Sequence, residues 1–195
     1  WVAGIQTKGK NYIAQNWNIN KFTNNKYKDL KLNENPQPII DQREYTISSV
    51  NIGNNEKSSD RLVFFENELD FKIYNIDSYK KVYCILLSNE ERQVKLGNKV
   101  LEYKKNLIKN QIQNLSLKIE YIEGKKFIEI SNNEKDFDVI YPSVGENMSF
   151  LKKIMKKNNL MINYLIRDED KYCWQFSNKG YFNFKSNIPK ILSQF

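Results

Sequence analysis

The sequence predicts an α+β, strand-rich fold: a mainly antiparallel sheet, one helix over about 143–159 and a short C-terminal helix. Three observations carry that expectation. Leu115, Leu117, Ile119 and Tyr121 alternate with Ser116, Lys118 and Glu120, the period-2 signature of a strand with one buried and one wet face. Glu123-Gly124-Lys125 supplies a turn, and Ile128 and Ile130 share one face of a returning strand, so 107–131 reads as a hairpin near the middle of the sheet. Phe150, Leu151, Ile154 and Met155 recur at helical spacing, giving one apolar stripe.

The other elements follow in chain order. Segments 1–7 and 11–19 flank Lys8-Gly9-Lys10 and read as a hairpin. The polar stretch 21–42 carries Pro36 and Pro38, which remove backbone donors and favour extended neighbours, so it reads as a long surface loop. That makes 1–42 an N-terminal arm and 43–195 the main antiparallel body, the two forming separate domains or one. Segment 44–52 reads as a strand with a phase slip near Ser48-Ser49. Segments 61–65, 68–76, 81–88 and 92–96 read as four further strands, and the continuous apolar run from Tyr83 to Leu87 suits a strand buried on both faces. Short polar connections between them favour an antiparallel meander. In 99–110, Leu101, Tyr103, Leu107 and Ile108 fit either a short helix or an irregular strand. Segment 137–141 is a strand ended by Pro142. The helix after it has Glu146 near its start, lysines in its later turns, where the macrodipole favours cations, and Asn158-Asn159 as a stop. Segments 160–167, 171–178 and 181–185 read as three more strands, and Asn187-Ile188-Pro189 opens the last short helix.

Composition excludes several chemistries. There is no histidine in the 195 residues, which removes the usual general base, the commonest metal ligand and any imidazole pH switch. With only Cys84 and Cys173, a four-ligand zinc site within one chain is excluded, and no cofactor is expected. The two cysteines leave one disulfide or two free thiols open. A net charge of +8 permits nucleic acid, an anionic surface or an acidic partner, but the lysines are spread along the chain, as on a solvated surface. No apolar run approaches the ~18 residues needed to cross a membrane. The chain begins at Trp1 rather than Met, so a processed or trimmed protein is expected, reaching a membrane only through a segment before Trp1.

Three constellations carry chemistry or its counterfeit. Asp168, Glu169 and Asp170 lack the alternate spacing of a metal loop and read as a solvated turn. Lys152, Lys153, Lys156 and Lys157 form either a solubilising face or a phosphate contact. Tyr172, Trp174 and Phe176 with Tyr181, Phe182 and Phe184 form either core or a base-stacking platform. No phosphate loop, dinucleotide fingerprint, nucleophile elbow or catalytic carboxylate pair is visible, so the chain reads as non-enzymatic.

The stretch 61–131, with Asn114, Leu115, Leu117 and Tyr121 on its central strand, resembles the sheet region of type IV pilin-like minor pilins and pseudopilins. The hallmark N-terminal apolar helix of that family is not in this sequence. The resemblance implies a structural or interaction domain of an envelope filament or secretion apparatus, extracytoplasmic, with other subunits as protein partners. The alternative is a basic, cytoplasmic nucleic-acid-binding domain contacting its ligand through Lys152, Lys153, Lys156, Lys157 and Trp174.

Overall fold

A computed structural model describes residues 15–28, 31, 55–68, 74–115, 119–142, 144–177 and 180–195. The chain divides into two compact units, Trp1–Ser49 and Val50–Phe195. In the first, the described residues form helix α1 (Asn16–Phe22), which carries no buried residue. The expected N-terminal hairpin falls partly on this helix and otherwise, like the expected strand 44–52, lies outside the described residues.

The second unit is an α/β fold around one five-stranded sheet: β1 (Arg61–Phe65), β2 (Lys81–Leu86), β3 (Ile119–Glu123), β4 (Asp136–Ile140) and β5 (Met161–Leu165). The order across the sheet is β3-β2-β1-β4-β5, and every pairing is parallel. The chain therefore steps outward from β1 to β3, then returns to the far side of β1 and steps outward again. Five helices accompany the sheet: α2 (Asn98–Leu115), α3 (Gly124–Asn133), α4 (Glu146–Asn158), α5 (Asp168–Trp174) and α6 (Tyr181–Leu192).

The alternation within each strand sorts its residues to two apolar layers. Leu62, Phe64, Val82, Cys84, Leu86, Ile140 and Leu165 face Ile108 of α2. Val63, Phe65, Tyr83, Ile85, Phe137 and Val139 face Phe127 of α3 and Phe150, Leu151 and Ile154 of α4. Both faces of β1, β2 and β4 are covered, as a parallel sheet requires. Each fully buried Leu, Phe or Ile contributes about 1.5–3 kcal/mol by leaving water.

The structure overturns the antiparallel, strand-rich expectation. The strands expected at 61–65, 81–88, 137–141 and 160–167 and the helix expected at 143–159 are present. The connections were misjudged. The expected hairpin 107–131 is instead the end of α2, then β3, then α3. Gly124, Phe127 and Ser131 are buried at i, i+3 and i+7, a helical period that Ile128 and Ile130 disguised as alternation. The expected strand 92–96 is irregular, 171–178 opens as α5, and 181–185 begins α6. The expected strand 68–76 lies mostly outside the described residues. With helices filling the gaps, parallel crossovers become available and the meander does not form.

Two backbone details fix this path. A Cβ on Gly124 would meet Glu91 Cδ, Leu87 Cδ2 and Phe150 Cζ at 3.0 Å, so a larger residue at the junction of β3 and α3 would push these side chains aside. Asn159 ends α4 in the left-handed conformation (φ 54°), a conformation that asparagine tolerates. Both cysteines are free thiols, Cys84 buried in β2 and Cys173 partly exposed on α5.

The amino ends of the strands are tied by one carboxylate. Asp138 is wholly buried (0%). Its oxygens accept hydrogen bonds from Ser58 N (3.0 Å), Ser58 Oγ (2.6 Å), Ser59 N (3.3 Å), Tyr79 Oη (2.9 Å) and Asn163 Nδ2 (3.0 Å). Replacing Asp138 by alanine orphans these donors together and is expected to cost about 3 kcal/mol or more, read as a fall in the urea midpoint.

Burial, then the bond to Asp138, pushes the Tyr79 phenol far above its usual 10.0. The folded state then holds this proton where the unfolded chain releases it. The stability it contributes is complete below pH 10 and is lost as pH rises beyond it. Tyr79→Phe is expected to flatten that alkaline decline in denaturation curves taken between pH 9 and about 11.

Candidate functional site

In open α/β sheets, ligands bind outside the carboxyl ends of the strands, where the strand order reverses. Here that point lies between β1 and β4. Immediately after β1 come Glu66, Asn67 and Glu68; after β4, Tyr141; after β5, Ile166 and Arg167. Asn67, Glu68, Tyr141, Arg167, Asp170 and Trp174 line a crevice of about 290 Å³ at this point. Ile140 and Leu165, the last residues of β4 and β5, also border it, but both are buried and its accessible lining is almost wholly polar.

Arg167 is clamped from two sides. Its Nε donates to Asp170 Oδ2 at 2.7 Å and its Nη1 to Glu68 Oε1 at 3.4 Å. Asp170, then Glu68, holds the guanidinium above its ordinary pKa, so it remains charged. Aromatic rings form the wall: Tyr141 meets Trp174 edge-on at 5.2 Å and Tyr164 at 5.6 Å. Burial raises the Tyr141 phenol, which stays a neutral donor.

Beneath the crevice lies a buried ionic knot. Glu66, whose side chain is 3% exposed, accepts from Arg92 Nη2 and Lys104 Nζ, both at 3.1 Å. Asn147, in the first turn of α4, donates to Glu66 Oε2 at 3.1 Å and reaches Asn67 Oδ1 at 3.4 Å. Arg92 Nε is also held by the Leu87 carbonyl at 3.0 Å. Asn147 Oδ1 is buried without a hydrogen-bond partner. The knot joins the ends of β1 and β2 to α2 and to the start of α4, and it reaches Asn67 through Asn147.

The segment directly after β1 carries Glu66-Asn67-Glu68 where a dinucleotide fold would place glycines. In the crevice, two carboxylates stand against one guanidinium, and Asp168 and Glu169 line the adjoining cleft. The lining therefore repels anions. Among the described residues no group of three His, Cys, Asp or Glu could hold a metal ion.

The residues singled out from sequence are dispersed. Trp174 is on α5 at the crevice wall, not on a strand. Lys152, Lys153, Lys156 and Lys157 are exposed on α4, and Lys153 and Lys157 line a different groove. The acidic triplet 168–170 opens α5, where carboxylates suit the helix dipole, and Asp170 clamps Arg167. Glu66, Glu68, Arg92, Asn147 and Arg167 had no sequence motif. The one available signal was a pair of glutamates directly after an apolar run.

Comparison with protein-family models, with curated proteins and with solved structures finds no match for this chain. No helix among the described residues is long and apolar enough to cross a membrane.

Removing Glu66 alone strands Arg92, whose side chain is 6% exposed. Glu66→Ala is expected to cost about 3–5 kcal/mol in thermal or urea unfolding. The double variant Glu66→Met with Arg92→Leu is expected to recover most of that loss, because an apolar pair removes the desolvation cost of both ions.

Proposed function

We propose that the unit Val50–Phe195 is a small-molecule-binding domain whose ligand is an uncharged, ring-bearing polyol seated at the carboxyl ends of β1, β4 and β5. The observation that carries this reading is the crevice at the strand-order reversal, with an acidic lining bordered by Tyr141 and Trp174. Its volume suits a single ring system. The Glu68 and Asp170 carboxylates and the Asn67 carboxamide accept from hydroxyls, and the clamped guanidinium donates to them.

This proposal takes precedence over the filament-subunit expectation. That expectation was drawn on 61–131 as consecutive strands, and Asn114 and Leu115 stand at the end of α2 with Tyr121 in β3. A nucleic-acid reading centred on Trp174 meets the acidic lining around that ring, which disfavours phosphate.

Saturation-transfer NMR on the full chain, with a panel of monosaccharides and nucleosides alongside the matching nucleoside diphosphates, tests the proposal. The expected result is saturable binding of at least one neutral compound, weakened tenfold or more by Arg167→Ala, with diphosphates binding no tighter than their nucleosides. Absence of binding across the neutral panel, or tighter binding of the diphosphates, would overturn it.

A further inference from the structure

Helix α6 leaves most of its apolar surface outside the fold. Among its residues only Ile191 is buried. A hydrogen bond from Asn183 Nδ2 to the Phe176 carbonyl (2.8 Å) and Lys190 Nζ over the Phe176 ring (5.4 Å) tie it to the segment after α5. Tyr181, Phe182 and Leu192 are 66%, 81% and 73% exposed, and Ile188 is exposed as well. Tyr181, Ile188 and Leu192 recur at i, i+7 and i+11, so they share one stripe of the helix, and Phe182 flanks it. The Tyr181 and Phe182 rings meet edge-on at 5.5 Å. Exposed apolar side chains scattered singly need no explanation, but a run of them along one helix face marks a contact surface.

The charge on this face indicates what covers it. Lys185, at i+4 from Tyr181, falls inside the apolar stripe and is exposed. In the dry core of a protein interface its ammonium would lose its water, and lysine is depleted from such cores. A second copy of the chain meeting this face about a two-fold axis would bring two Lys185 ammoniums together. A single-stranded nucleic acid needs a row of cations along its backbone as well as rings, and one lysine lies within this stripe. A lipid interface suits the arrangement: the lysine stem lies among the apolar side chains while its ammonium reaches the headgroup phosphates. Tyrosine beside it is at home at headgroup level. The surrounding sequence agrees, since 171–195 carries Lys171, Lys179, Lys185 and Lys190 and no Asp or Glu. The acidic residues just before that stretch open α5, where Arg167 engages Asp170 and Asn55 engages Asp168. Phe195 borders the cleft of Asp168 and Glu169 and is no part of the face.

We propose that α6 lies on an anionic membrane surface, with Tyr181, Phe182, Ile188 and Leu192 entering the acyl boundary and Lys185 pairing with anionic headgroups. The proposal does not rest on the polyol crevice.

The test is flotation of the full chain with vesicles of phosphatidylcholine alone and of phosphatidylcholine mixed with phosphatidylglycerol in equal parts. Expected is saturable binding to the mixed vesicles, at least tenfold tighter than to phosphatidylcholine alone. Phe182→Ser with Leu192→Ser, both exposed, is expected to weaken it tenfold or more. Lys185→Glu is expected to weaken it about twentyfold, because a cation is lost and an anion gained, each a factor of about five. Two controls change exposed residues of other elements: Val144→Ser with Met161→Ser, and Lys152→Glu with Lys156→Glu. Both are expected to leave binding within about twofold, the difference between a docked helix and a diffuse response to surface charge. Absence of binding to the mixed vesicles, equal binding to phosphatidylcholine alone, or equal loss in the controls would overturn the proposal. So would a dimer or a single-stranded oligonucleotide complex that is lost on changing Phe182 and Leu192.

Discussion

The second unit depends on a carboxylate that is buried, among the described residues, without a cation. Asp138 sits in β4 with no exposed surface, and all of its recorded partners are neutral donors. A lone charge in the interior is tolerated only when its hydrogen bonds replace the lost hydration. Here the donors come from three places: Ser58 and Ser59 in the segment before β1, Tyr79 before β2, and Asn163 in β5. Satisfying the charge therefore specifies which segments must meet, and they meet only if β4 inserts beside β1. The pairing of Leu62 with Asp138 and of Asp138 with Asn163 places β4 between β1 and β5 in the register that brings those donors within reach.

The two ends of the sheet use charge differently. At the amino end, Arg61 pairs with Glu134 and Asp136, and Lys81 joins Glu134, so the starts of β1, β2 and β4 are pinned to the end of α3. These groups are partly exposed and each contributes little, about 0–1 kcal/mol. At the carboxyl end, Glu66, Arg92 and Lys104 form a knot buried enough that its desolvation offsets much of its attraction. A network that contributes little net stability but reaches Asn67 through Asn147 makes sense as a support for the crevice above it. The amino end holds the fold and the carboxyl end holds the arrangement of polar groups.

How legible this was in the sequence differs by element. β1, β2 and β4 are short apolar runs bounded by charge, and α4 has a clean apolar stripe, so local pattern sufficed. Their relative direction was not local. It is set by what fills the connections, and α2 and α3 are helices whose signals are weak. Among the described residues of α2 only Ile108 is buried, with Ile112 packed partly against the core, leaving the polar face dominant. In α3 the five residues from Phe127 to Ser131 satisfy a strand period and a helix period alike, and only the tight approach at Gly124 breaks the tie. The aromatics of 172–184 misled for a related reason: Tyr172 and Phe176 are helical neighbours, in edge contact at 5.5 Å, and not alternate strand residues. The crevice was illegible because its residues come from three strand ends and one helix, and no motif spans such separations.

Global charge was also a poor guide to the cavities. A chain of net charge +8 invites a polyanion reading. Charges further apart than ~8 Å are largely screened at physiological ionic strength, so a cavity responds to the groups on its own wall. The wall of the crevice is acidic, with Glu68 and Asp170 around Arg167. The groove between α3 and α4 gathers three lysines, but it also carries Glu90, Glu91 and Glu146. The excess of lysine is therefore spent on neither cavity as a continuous positive field. The crevice wall carries two carboxylates against one guanidinium, and the groove wall carries lysines and glutamates in equal number. The sheet and its helices separate the two walls, and each wall sets its own potential.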